Sequence, residues 1–251
     1  MRSSVVLLLC LGVSLLGCKQ LQSSKEGEAK GPANSENAGE QSLDTPNLAA
    51  CSTLSWDRFK LIGDAKLQGA TLSLLQQQSQ VSAAWLPTEL SVEDLQLSLV
   101  LEQGGDVKRY ADGIAFTFLE GEVPSEPGAG GPSLGVPTLP IVAAGIHFPM
   151  EEPHLFLELW QGKEGVPYMD EPSSRAKVQR SAGAKLVRLR VHQGDVALAL
   201  HASTDPASTA TVTRAKLGLN GARKLGITGA TGVYSAQIAV RDIKLFSGKC
   251  Q

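Results

Sequence analysis

The chain has 251 residues, 42% of them hydrophobic and 19% charged, with 23 Lys and Arg against 25 Asp and Glu for a formal net charge of −2. Its cations are scattered along the sequence, which gives a nucleic-acid backbone nothing to bind and excludes that class of partner. Aromatic residues make up only 5%, so any work that needs a ring falls on a few positions, chiefly Trp85, Trp160, Tyr168 and Tyr234.

Residues 1–17 read as a cleaved leader. Arg2 supplies a positive start, and residues 5–16 form an apolar run too short to rest as a spanning helix. The end of this segment, Leu15-Leu16-Gly17-Cys18, resembles the lipobox of bacterial lipoproteins. That resemblance implies cleavage before Cys18, fatty acylation of Cys18 (palmitate or a similar chain) and attachment to a membrane. Lys19 stands where an Asp would favour the inner membrane, so the implied location is the outer membrane of a bacterial cell envelope.

Residues 18–50 are rich in Ser, Gly, Glu, Lys, Asn and Gln and hold no aromatic residue. Such a composition cannot bury a core and predicts a flexible tether with a root-mean-square reach of about 30 Å.

Residues 51–251 are long enough for one large β-sandwich, and their pattern favours one. Leu95, Leu97, Leu99 and Leu101 recur at every second position, as do Val187, Leu189 and Val191. This is the period of a half-buried strand. Residues 185–201 read as two strands joined by a tight turn at Gly194-Asp195. The last strand spans about 235–246, and its apolar phase shifts around Arg241-Asp242, which predicts a bulge there. No helical stripe competes.

Between these lies Ala111-Asp112-Gly113-Ile114-Ala115-Phe116-Thr117-Phe118, a lone carboxylate on a turn ahead of a strongly alternating strand. Gly113 would relieve a difficult backbone angle, and Asp112 would stay near solvent.

Four cysteines complete the reading. Cys10 falls in the leader and Cys18 takes lipid, leaving Cys51 at the first edge of the domain and Cys250 at its last residue but one. They are expected to form a disulfide, which requires the two ends of the domain to be neighbours. Closing a loop of roughly 200 residues contributes at most about 5 kcal/mol in the chain-entropy model.

Three blocks resemble the L-type (legume-type) lectins and their concanavalin A-like relatives. They are Phe59-Lys60-Leu61-Ile62-Gly63-Asp64-Ala65, the Ala111-Asp112-Gly113 strand, and residues 224–246 with Gly229-Ala230-Thr231-Gly232 inside. The resemblance implies an all-β fold, an antiparallel jelly-roll sandwich in which first and last strands lie side by side. It implies that Asp112 accepts hydrogen bonds from sugar hydroxyls, that Gly130 donates its backbone N–H to the same ring, and that the peptide before Asp112 is cis. Tyr168 and Tyr234 are candidate stacking partners for the sugar. The competing role for Asp112 is that of a carboxylate capping its own turn.

The family holds a transition metal and calcium through a Glu-x-Asp strand followed by Asn and Asp. Here Glu158 matches the Glu, but Trp160 replaces the bridging Asp, Glu164 stands for the Asn, and Tyr168 falls near the second Asp. The shared oxygen ligand is lost, so no metal is expected, calcium on Glu158, Glu164 and Asp170 being the remaining option.

Glycosidases of this architecture place two carboxylates on one strand in a Glu-x-Asp-x-x-Glu pattern, which Glu158 and Glu164 do not reproduce. The expectation is therefore a surface-tethered, non-catalytic protein whose partners are a carbohydrate or glycoconjugate and, through its lipid, a membrane. The alternative is a lectin-fold scaffold or protein-binding module.

Overall fold

The computed structural model describes residues 50–104, 112–138, 141–149, 152–162 and 172–247, the first four by backbone alone. Among them the first strands are β1 (Ala50–Thr53), β2 (Lys60–Gly63), β3 (Lys66–Gln68), β4 (Thr71–Leu75), β5 (Val81–Ser91) and β6 (Asp94–Gly104). Next come β7 (Gly113–Leu119), β8 (Ile141–His147), β9 (His154–Gln161), β10 (Ser174–Gln179) and β11 (Lys185–His192). The last are β12 (Gly194–His201), β13 (Ala210–Leu219), β14 (Ala222–Ala230) and β15 (Gln237–Ser247).

These strands form two antiparallel sheets. An eight-stranded sheet runs β13-β12-β11-β6-β15-β4-β3, with β1 also on β15, and a seven-stranded sheet runs β10-β9-β8-β7-β14-β5-β2. β4 meets residues 238–241 of β15 and β1 meets residues 244–246, so the two lie end to end along one edge. The first and last described strands are thus paired, which is the adjacency that a Cys51–Cys250 bond needs. The side chain of Cys51 and all of Cys250 lie outside the described residues, as does Cys18.

Period-two alternation builds the core. Leu95, Leu97, Leu99 and Leu101 of β6 and Val187, Leu189 and Val191 of β11 pack in one cluster with Ile114, Phe116 and Phe118 of β7 and Leu225 and Ile227 of β14. Each such side chain contributes about 1.5–3 kcal/mol when taken fully from water. The intervening Arg188 and Arg190 are only partly buried, on the opposite face of β11.

The seven-stranded sheet is covered on its other face as well. Ala83 and Trp85 of β5, Ala115 of β7, Ile141 and Ala143 of β8 and Trp160 of β9 form a second cluster with Leu134 and Val136. The segment after β7 therefore folds back over this outer face, and β7 is buried along its whole length.

Three strand boundaries differ from the expectations. The β11–β12 turn is Gln193-Gly194, one residue earlier than Gly194-Asp195, because His192 pairs with Asp195. Both turn residues have positive φ, 51° and 83°, the requirement of a type I′ turn that follows strand twist. The block at 59–65 narrows to β2 and pairs with β5 in the seven-stranded sheet. The closing strand starts at Gln237, and its register does shift between Arg241 and Lys244, where Asp242 takes φ 54°.

Candidate functional site

Asp112 sits at the end of the seven-stranded sheet where β7, β14 and β5 align Gly113, Ala230 and Val81 in one row. Its backbone is fixed from two sides: its N–H donates to Ala230 O at 3.0 Å and its carbonyl accepts from Phe148 N–H at 2.7 Å. Gly113 follows with φ 140° and a Cβ position 2.1 Å from Ile146 O, a conformation and a space that only glycine satisfies.

Neighbouring loops are tied together around this turn. Thr231 Oγ1 accepts from Gln80 N–H and donates to Gln77 O, both at 2.8 Å, and Ser79 N–H donates to Gly232 O at 3.0 Å. Gln80 Oε1 in turn accepts the N–H groups of Gln76 and Gln77 at 2.6 and 2.9 Å. The Ala230-Thr231-Gly232 turn is thereby held against Asp112, and a Cβ on Gly232 would stand 3.2 Å from Asp112 Oδ2.

The carboxylate is poorly satisfied. Asp112 Oδ2 is buried without a hydrogen-bond partner. Desolvation pushes the Asp112 carboxyl above its ordinary range, against the smaller opposing pull of the His147 imidazole and the Gly232 N–H.

Gly130 lies at the same end of the sheet, with extended backbone (φ −75°, ψ −174°), and a Cβ there would meet Val81 Cγ2 at 3.2 Å. Tyr234 is half-buried in the loop that carries Gly232, next to Val233, which is 68% exposed. The fold therefore gathers Asp112, Gly130, Gly232 and the Val233-Tyr234 loop at one end of the sandwich. Tyr168 and the Ala111–Asp112 peptide fall outside the described residues. Trp85 and Trp160, at 0% and 2% exposure, are core rings of the second cluster.

The strand expected to carry metal ligands is built differently. Glu158 is fully buried on β9, and Arg175, its register partner on β10, binds Oε1 through Nε at 2.5 Å and through Nη2. His147 Nδ1 lies 3.3 Å from Oε2, with no hydrogen bond between them. Trp160 lays its ring over β8, where a Cβ on Gly145 would meet Cζ3 at 2.6 Å. Among the described residues no three His, Cys, Asp or Glu side chains cluster as metal ligands, and Glu164 and Asp170 lie outside them.

His147 and Arg175 were not legible as site residues. Each comes beside Glu158 only through the β8–β9 and β9–β10 registers, and the second of these spans a long connection.

No family model matches the sequence, and neither does any curated protein. Solved structures do match in fold. The calcium- and Man3GlcNAc-bound exoplasmic/lumenal domain of VIP36 superposes with a TM-score of 0.62 at 14% identity, covering 78% of this chain and 85% of that one. The metal-free form of lectin I-B4 from Griffonia simplicifolia gives 0.58 at 15% identity, over 75% and 92%. Arcelin-5, a lectin-like defense protein from Phaseolus vulgaris, gives 0.59 at 13% identity, over 77% and 93%. The fold is the lectin-like jelly-roll sandwich.

Proposed function

We propose that this chain is a non-catalytic carbohydrate-binding protein, with Asp112 as the residue that accepts hydrogen bonds from sugar hydroxyls. The observation that carries the reading is the Asp112 carboxylate, desolvated, with one oxygen lacking a partner, on a turn fixed by Ala230 and Phe148. A carboxylate accepts from two adjacent hydroxyls, and such a ligand would supply the partners that the fold withholds. Gly130 is assigned as a backbone donor to the same sugar, and Tyr234, two residues beyond Gly232, as a stacking ring. VIP36, a neighbour in fold, is known in a Man3GlcNAc-bound and a mannose-bound form, which favours a glycan over a protein partner.

Glu158 is no free acid or base, since it is fully buried with Oε1 bound by Arg175, and this weighs against glycoside hydrolysis. The leader and Cys18 support attachment to a bacterial envelope membrane by lipid, with residues 18–50 as spacer, and a Cys51–Cys250 bond would lock β1 against the end of β15.

A glycan array probed with the full-length protein in detergent tests the reading. Binding should survive chelator and disappear in Asp112→Ala, whose melting temperature stays near that of the wild type. An array without signal, or undiminished binding by Asp112→Ala, would refute the assignment. Mass analysis of unreduced peptides checks the disulfide, and of the amino-terminal peptide the acylation of Cys18.

A further inference from the structure

Four side chains cross four neighbouring strands in sequence: Arg175 on β10, Glu158 on β9, His147 on β8, and Asp112 immediately before β7. Arg175 and Glu158 are register partners, Glu158 stands opposite Gly145, and His147 stands two residues beyond Gly145 on the same face, opposite Gly113. The row runs from Arg175 through Glu158 and His147 to the Asp112 turn. Arg175 holds Glu158 Oε1, Glu158 Oε2 lies 3.3 Å from His147 Nδ1, and His147 in turn acts electrostatically on Asp112. The Arg175 guanidinium is held on its other side over the Phe156 ring, 4.9 Å from the centroid.

The lectin fold implies cations on the strand of Glu158, and the residues present do not fit them. A hard cation needs carboxylate oxygens that are free to coordinate, whereas Oε1 is taken by a guanidinium. The position expected to bridge two ions carries Trp160, whose ring is seated on Gly145 with no room for a Cβ beneath it.

We infer that Arg175 is the built-in cation of this sandwich: it neutralises Glu158 and, through Glu158 and His147, positions the Asp112 turn without a metal ion. The route is short. His147 is followed by Phe148, whose N–H holds the Asp112 carbonyl at 2.7 Å. A shift of His147 toward or away from Glu158 therefore displaces the backbone that fixes Asp112. Arg175 is a positioning residue in this scheme and never touches sugar. The inference rests on the carbohydrate reading of Asp112 for its purpose, though not for its test.

The test compares the full-length wild type with the double variant E158L/R175L, in which an apolar pair replaces the ion pair and leaves no buried charge. Three quantities are read: the melting temperature with and without added calcium or manganese after chelation, the pH midpoint of the Asp112 side-chain carboxyl ¹³C signal, and the affinity for Man3GlcNAc. Calcium and manganese should leave the chelated wild type unmoved. The double variant should melt close to the wild type yet show a displaced Asp112 midpoint, with any Man3GlcNAc affinity lowered roughly tenfold, the size of a coupling carried through packed side chains.

A rise of many degrees on adding either ion, or an Asp112 midpoint identical in both proteins, overturns the inference. If E158L/R175L does not fold, E158Q/R175Q keeps hydrogen bonding, removes both charges and is judged by the same midpoint. A displaced midpoint in a protein that binds no glycan would uphold the positioning role and count against the carbohydrate reading, so the two fail separately.

Discussion

Two carboxylates of the seven-stranded sheet, Glu158 on its penultimate strand β9 and Asp112 at the end of its central strand β7, meet burial in different ways. Glu158 is 0% exposed, with Oε1 held by the Arg175 guanidinium and Oε2 without a hydrogen-bond partner. Asp112 is half-buried, keeps one oxygen without a partner, and is pushed toward its protonated form by desolvation. Burying a carboxylate costs several kcal/mol unless charge or hydrogen bonds offset the loss of water. The Arg175 guanidinium offsets part of that cost at Glu158, whereas burial dominates at Asp112. The first group is therefore a structural anion, and the second retains a capacity that a ligand can fill.

Breaking the pair of Arg175 and Glu158 should produce the largest effect. Arg175→Met leaves the Glu158 anion buried against an uncharged side chain, and unfolding free energy should fall by about 3 kcal/mol, the low end for a broken buried pair because the guanidinium is itself 46% exposed. Urea denaturation at neutral pH measures it. A midpoint within error of the wild type would mean that water already solvates Glu158 and that the contrast with Asp112 is false.

Crowding the ring beside that pair comes next. Gly145→Ala places a methyl group 2.6 Å from Trp160 Cζ3, and overpacking of this kind costs about 1–3 kcal/mol. In a domain of this size that lowers the melting temperature by roughly 2–4 °C per kcal/mol. Scanning calorimetry checks it. An unchanged melting temperature would show that Trp160 can leave β8 and free the space beside Glu158.

The sequence carried the sheets further than the site. Strand period, the closing-strand bulge and the pairing of the chain's first and last described strands all follow from local alternation and cysteine placement, and the structure contains each feature. The turn at Gln193-Gly194 lies one residue before the expected Gly194-Asp195 because Gln is a rare choice for positive φ, and only the pairing of His192 with Asp195 reveals it. Asp112 stood out because its turn precedes an alternating strand. Its partners did not, since His147 and Gly232 are 35 and 120 residues away in sequence, and only sheet order brings them together. Trp160 was legible as the loss of a ligand. That it seals the outer face together with Leu134 and Val136 depends on a fold-back segment whose course no periodicity encodes.

The smallest expected effect on stability falls at Asp112, and its sign is the informative part. Because desolvation dominates, the folded-state carboxyl has a higher pKa than the unfolded one. The native state then binds its proton more tightly, so ionisation of Asp112 costs stability. That cost is absent below the unfolded value, near 3.8, grows as pH rises toward the folded value, and is complete above it. Asp112→Asn keeps the shape and removes the charge. At pH 7 the variant should be slightly more stable than the wild type, with the margin closing as pH falls toward 3.5 in paired urea denaturation curves. Glycan binding should be lost over the same range, since an amide offers only one acceptor oxygen where the carboxylate offers two. A variant less stable than the wild type at pH 7 would identify Asp112 as a turn cap and would erase the difference between the two carboxylates.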